Sequence, residues 1–292
     1  MLQAHITDFL SYCKVVGFSA KSIESLTAGL RDFTGFCNCN SVQTADDMTY
    51  GMLVDFVTDF HQPSVHKKKA RVWCLHQFFH FLTVTTEIPK NIALGLAYPK
   101  IEKTVPFFLT QKEYNRIIRY FVIQANCKIG LRNLVIVLML GMLGLRTSTL
   151  IALDIAHIDI AAGIALVHEK GNKKRLMVLP DTLVRILEVY LNRLDHDRGP
   201  LFLSIRKKRI SPRTLQDIFQ VVKNELGLDR PLNARLFRHT AATLLNKVAG
   251  TTVTQTVLGH ERRCNTLRYT HLNPDQYALY MRRHPYMQEG RS

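Results

Sequence analysis

Residues 97–109 constrain the fold of this chain more than any other stretch. Through Tyr98-Pro99-Lys100-Ile101-Glu102-Lys103-Thr104-Val105-Pro106 the helical pattern of the flanking sequence lapses, and each proline denies helix to the residue before it. The chain of 292 residues is long enough for two domains, expected at 1–98 and 109–292 with a linker at 99–108. Ahead of the break, apolar residues recur at helical spacing in four stretches: Ile6, Phe9, Leu10, Cys13; Ile23, Leu26, Leu30, Phe33; Leu53, Phe56, Val57, Phe60; and Val72, Leu75, Phe79, Leu82. Four such stripes can close one small bundle.

Beyond the break the pattern is richer. Thr110 caps a new helix with Glu113 in the capping-box position, and Leu134 to Leu145 is apolar on every side, which suits a helix at the centre of a larger domain. Between Asp154 and Pro180 the period changes to alternation. Ile164, Leu166 and His168 oppose Ala165 and Val167, Lys170-Gly171-Asn172-Lys173 supplies a turn, and Leu176 to Leu179 returns as a second strand. A β-hairpin with a lysine-rich tip is predicted. Helices then resume through Leu183, Ile186, Leu187 and Tyr190, and again from Ser211-Pro212 through Leu215, Ile218, Phe219 and Val222. The fold class expected is mainly α, with one small antiparallel hairpin or sheet in the second domain.

Charge narrows the partner. Lysine and arginine exceed the acids enough for a net charge of +16 and an isoelectric point near 9.8, a balance that favours a polyanion and salt-sensitive association with it. Double-stranded DNA is the leading candidate. An anionic membrane is disfavoured, because the longest apolar run, Leu134 to Leu145, is broken by Gly141 and Gly144 and falls short of the roughly 20 residues that span a bilayer. The opening MLQAHITDFL has no basic region followed by an apolar stretch, so a cytoplasmic protein is expected. Its six scattered cysteines show no zinc-like spacing and read as structural thiols. Lys67, Lys68, Lys69 and Arg71 open the fourth helix on a face away from its apolar stripe, where they could line a phosphate backbone; Lys173, Arg206 and Lys207 are the corresponding candidates in the second domain.

The second domain also carries a set of motifs at telling spacings: Gly144-Leu145-Arg146-Thr147-Ser148-Thr149-Leu150; then Glu169-Lys170-Gly171-Asn172-Lys173-Lys174-Arg175; then Arg235-Leu236-Phe237-Arg238-His239-Thr240; then Leu258-Gly259-His260; and Tyr269 nine residues later. Together they resemble the catalytic frame of tyrosine recombinases, the family of the phage integrases and Xer-type recombinases. The likeness spans nearly the whole chain. It implies an N-terminal SAM-like core-binding bundle that clamps a DNA duplex together with a catalytic domain, and a C-terminal tail helix from Asn273-Pro274, carrying Tyr277, Tyr280 and Met281, that docks on a neighbouring protomer in a homo-tetramer.

The resemblance also implies roles. Arg146 and Arg238 would clamp the non-bridging oxygens of a DNA phosphate, since guanidinium binds them bidentately and stays charged at any working pH. Tyr269 would attack the phosphorus and form a 3′-phosphotyrosine that conserves the energy of the broken bond, with no ATP, metal or other cofactor needed. Lys170, with Lys173 its close rival, would protonate the leaving 5′-oxygen, and His260 would donate to a phosphate oxygen. Tyr277, Tyr280 and Tyr286 lack the nine-residue spacing from His260 and are set aside as nucleophiles.

Two positions depart from the pattern. Arg235 stands where the family usually has histidine, and arginine can bind phosphate but does not accept the tyrosine proton. It is expected as a third cationic ligand, with the phenol proton leaving through water or His260. Thr149, where the family often has glutamate, is expected to touch local packing. A type IB topoisomerase-like relaxing enzyme and a non-catalytic DNA-binding relative are the rival readings.

Overall fold

The computed structural model describes residues 2–102, 107–169 and 173–259, with Lys173 and Thr251 described by backbone alone. It divides into two compact units that meet in sequence at 104/105.

The first unit holds four helices, α1 (Leu2–Val15), α2 (Ala20–Cys39), α3 (Tyr50–Thr58) and α4 (Val65–Val84), followed by a 3-10 turn over Ile92–Gly95. The starts of α2, α3 and α4 are set by Ser19, Thr49 and Ser64, whose hydroxyls accept the backbone N–H groups of Ser22, Met52 and Lys67. The predicted stripes meet in a core of Phe9, Leu26, Leu30, Phe33, Phe56, Leu75, Phe78, Phe79 and Leu82. Its aromatic rings pack edge to face: Phe33 lies 5.2 Å from Phe56 and 6.2 Å from Phe79, centroid to centroid.

Arg71 corrects the sequence expectation. It is 2% exposed, whereas Lys67 and Lys69 are open to solvent and Lys68 is half-buried. The spacing explains why, because Arg71, Leu75, Phe78 and Leu82 fall at i, i+4, i+7 and i+11, one face of a helix. Its Nη1 donates to the carbonyls of Phe56 (2.6 Å) and Phe60 (2.8 Å), its Nη2 lies 3.5 Å from Asp32 Oδ2, and its guanidinium stacks 4.4 Å from the Phe56 ring. Those carbonyls lie at the end of α3, where no intrahelical donor remains, so the arginine completes the helix instead of reaching a ligand. Lys67 also pairs with Asp32, at 2.8 Å. Arg71→Ala is expected to cost about 3 kcal/mol in urea denaturation by stranding two buried carbonyls, whereas Lys69→Gln changes stability by less than about 0.5 kcal/mol.

In the second unit, α5 (Gln111–Gln124) begins with the capping box read from sequence: Thr110 caps the Glu113 N–H and the Glu113 carboxylate accepts from the Thr110 N–H at 2.8 Å. The central helix α6 (Lys128–Leu143) is buried on all sides from Leu134 to Leu143 and packs against α5, α8 (Asp181–Asn192) and α10 (Ala234–Leu258). Between α6 and α8 lie α7 (Thr147–Ile151) and a three-stranded antiparallel sheet of β1 (Ile158–Asp159), β2 (Ile164–Glu169) and β3 (Lys173–Val178), in that order. The predicted hairpin pairs Ala165 with Met177 and Glu169 with Lys173; Ala165, Val167 and Met177 face the core. Strand β1 is two residues long, too short for alternation to reveal. Helix α9 (Pro212–Glu225) carries Leu215, Phe219 and Val222 into the same core. Helix α10 is two helical segments that meet at Gly250, whose φ of 75° and ψ of 175° only glycine adopts readily.

Candidate active site

The site is assembled where α6 ends. Gly144 closes that helix with a left-handed φ of 59°, and a Cβ there would lie 2.5 Å from Leu258 Cδ2. The glycine therefore lets the end of α6 press against the end of α10. Arg146 follows at the N-terminus of α7.

Three arginines converge on the last carbonyls of α10. Arg238, on the first segment of that helix, donates through Nη1 to Gly144 O (2.6 Å) and through Nη2 to Leu258 O (2.7 Å). Arg146 Nη2 donates to Gly259 O at 2.8 Å. Arg175, on β3, donates through Nη1 to Thr256 O (3.0 Å) and to Val257 O. A helix C-terminus presents unpaired carbonyls and the negative end of its dipole, so it can hold several guanidiniums close together. Gly259 ends α10 in the left-handed conformation, with a φ of 61°.

One carboxylate shares the cluster. Glu169, the last residue of β2, pairs with Arg146 Nη1 through Oε2 and accepts from Arg175 Nη2 through Oε1 at 2.9 Å. Among the described residues, these three cations face the carboxylate of Glu169. Burial, and then the charges of Arg146 and Arg175, push Arg238 down to about 10, still fully protonated at neutral pH.

Arg235 is exposed one turn before Arg238, and its Nε donates to His239 Nε2 at 3.2 Å. Burial first, then Arg235 and Arg238, hold the His239 imidazole below its ordinary range, so it is neutral at neutral pH. With Nε2 accepting, the ring proton sits on Nδ1. Thr149 Oγ1 donates to His168 O at 3.3 Å, joining α7 to β2, and the Thr240 hydroxyl bridges Leu236 O and the Leu109 N–H.

Lys170, His260 and Tyr269 lie outside the described residues, as does the tail with Tyr277, Tyr280 and Tyr286. Their sequence neighbours Glu169 and Gly259 are placed, and a Cβ on Gly259 would lie 3.3 Å from Glu169 Oε1. Lys173 pairs with Glu169 across the hairpin. Among the DNA-contact candidates, Lys68 is half-buried and Lys69 exposed on α4, while Arg206 and Lys207 are exposed in the turn bridged by Leu203 and Arg209. Glu169 and Arg175 were missed as site residues in the sequence. The signal was there: Glu169 is the one acidic residue between Asp159 and Asp181, inside a run of lysines.

The signature of the phage integrase family matches residues 108–276, more than half of the chain. A tyrosine recombinase XerC from Bacillus licheniformis is 28% identical over 300 residues, covering 98% of each chain. Among solved structures, a lambda integrase dimer bound to a core site (residues 75–356) superposes with a TM-score of 0.72 at 17% identity, covering 89% of this chain and 94% of that one. A lambda integrase tetramer bound to a Holliday junction gives 0.71 at 16% identity, covering 90% and 78%. The family match and the recombinase relatives define an enzyme that breaks and rejoins DNA strands. The chain belongs to the phage integrase family, among its tyrosine recombinases.

Proposed function

We propose that this recombinase cuts and reseals specific DNA sites through six residues, Arg146, Lys170, Arg235, Arg238, His260 and Tyr269. The observation that carries the assignment is the convergence of Arg146 and Arg238 on one pair of carbonyls, Leu258 and Gly259, immediately before His260. There the two guanidiniums grip the non-bridging oxygens as negative charge builds on them. Tyr269 Oη attacks phosphorus, a phosphotyrosine bond forms at the 3′ end, and the bond to the 5′-oxygen breaks. Lys170 donates the proton that the leaving oxygen takes up; Lys173 is its rival for that step. His260 donates to the phosphate. The phenol proton passes to water or His260, since His239 Nε2 is engaged by Arg235. Resealing reverses each transfer with a different 5′-hydroxyl, so no outside energy source enters.

The remaining assignments rest on the resemblance. DNA is bound by both units, with Lys67, Lys68 and Lys69 contributing from the first and Lys173, Arg206 and Lys207 from the second. The C-terminal tail links four protomers on two duplexes; the lambda integrase tetramer on a Holliday junction supports the fourfold assembly alone. The enzyme is read as cytoplasmic and as serving a mobile genetic element. Among the described residues no helix is long and apolar enough to cross a membrane.

The deciding experiment is covalent selection. Protein is incubated with a randomised duplex library, denatured in detergent, and the DNA-linked fraction is sequenced and its protein attachment mapped by mass spectrometry. A single enriched motif attached to Tyr269 is expected; an absence of adduct, or attachment elsewhere, overturns the assignment. With a nicked duplex of the selected sequence, Arg235→Ala is expected to cleave about 10-fold more slowly, as loss of one charged phosphate contact predicts, and Arg235→His to cleave at least as fast as the wild type. An Ala variant that cleaves normally removes Arg235 from the phosphate site.

A further inference from the structure

We propose that Glu169 is the positioning residue of the phosphate clamp: its carboxylate orients Arg146 and ties the β2–β3 hairpin to the end of α10. The inference rests on the recombinase reading above and names a residue which that reading leaves out.

Both carboxylate oxygens are committed, one to each arginine, and the Glu169 side chain is only 9% exposed. Arg146 is held along two edges, by Glu169 at Nη1 and by Gly259 O at Nη2. A planar fork held at two points has its plane fixed, and a bidentate grip on phosphate requires that. Arg175 extends the frame. It takes Glu169 Oε1 on one side and the carbonyls of Thr256 and Val257 on the other, so the strand preceding Lys170 is bolted to the helix preceding His260. Gly259 permits the approach, because any side chain there would crowd Glu169 Oε1.

Electrostatics makes the role distinguishable from ordinary packing. Glu169 is the carboxylate that offsets the mutual repulsion of Arg146, Arg175 and Arg238, so without it the three guanidiniums spread apart. The same carboxylate repels an incoming phosphate. It therefore favours the geometry of the reaction while opposing affinity for DNA. Removing it should slow cleavage and leave binding unchanged or tighter, whereas loss of a purely structural residue weakens both.

Glu169→Gln and Glu169→Ala test this with the full-length protein and a nicked suicide duplex of the sequence selected above. Glutamine keeps the shape while removing the charge and turning one acceptor into an amide donor, so it tests the carboxylate even if the alanine variant fails to fold. Single-turnover cleavage at saturating DNA is expected to fall about 100-fold in each folded variant, the scale of a reacting group misplaced by about 1 Å. Affinity for the same duplex should hold or rise. Cleavage by the Gln variant within about twofold of the wild type overturns the proposal, as does a loss of affinity that accounts for the loss of rate. A wild-type protein that forms no adduct overturns the recombinase assignment itself, and a cleaving wild type beside an equally active Gln variant overturns only the role of Glu169.

Discussion

Tyr269→Phe is expected to abolish the covalent DNA adduct, lowering the cleavage rate by about 10⁵-fold or more, because it deletes the oxygen that the proposed mechanism joins to phosphorus. The change removes one atom and keeps the ring, so DNA affinity and thermal stability should stay near wild-type values. That separation makes the result specific. Detergent-resistant adduct on a nicked suicide duplex is the measurement, since the nick lets the short 5′-ended fragment diffuse away and traps the intermediate. A Phe variant that still forms adduct would pass the nucleophile role to one of the tail tyrosines, Tyr277, Tyr280 or Tyr286, and peptide mapping would show which.

Arg238→Ala should have the next largest effect, a fall of about 10³-fold in single-turnover cleavage, the upper range for one lost donor to a developing oxyanion. Arg238 is half-buried and bound to two backbone carbonyls, so its guanidinium is in place before substrate arrives. Lysine should rescue little. A single ammonium cannot span Gly144 O and Leu258 O and still face the phosphate. Loss of one phosphate contact should also lower the slope of log affinity against log salt by about 1. A thermal melt separates this from unfolding, and a well-folded Ala variant with normal cleavage would remove Arg238 from the clamp.

The helices were legible because burial follows period: the four stripes of the first unit and the all-apolar face of α6 translate directly into packed surfaces. The hairpin was legible for the same reason, through alternation and its Gly-Asn turn. Arg71 was misplaced because a basic run reads as one solvated face, and nothing local shows that the seventh residue of α4 turns inward to finish another helix. Among the described candidate residues, the motifs singled out Arg146, Arg235 and Arg238, since each motif is short and continuous. Arg175 escaped because its carbonyl partners, at Thr256 and Val257, lie more than 80 residues away, and Glu169 escaped with it, because its carboxylate joins Arg175 to Arg146, 23 residues earlier. Carbonyls leave no mark in the identity of the residues that carry them.

The break in α10 has a geometric consequence. Twenty residues separate Arg238 from Leu258, and along an unbroken helix that distance would be about 30 Å, several times the reach of an arginine side chain. Yet the Arg238 guanidinium touches the Leu258 carbonyl at 2.7 Å. The fold closes that distance by reversing course at Gly250, where among the described residues no atom beyond the adjoining turns lies within 4 Å of the missing Cβ and the backbone angles demand glycine. A single glycine thus acts as the elbow that brings the two ends of one helix together at the arginine cluster.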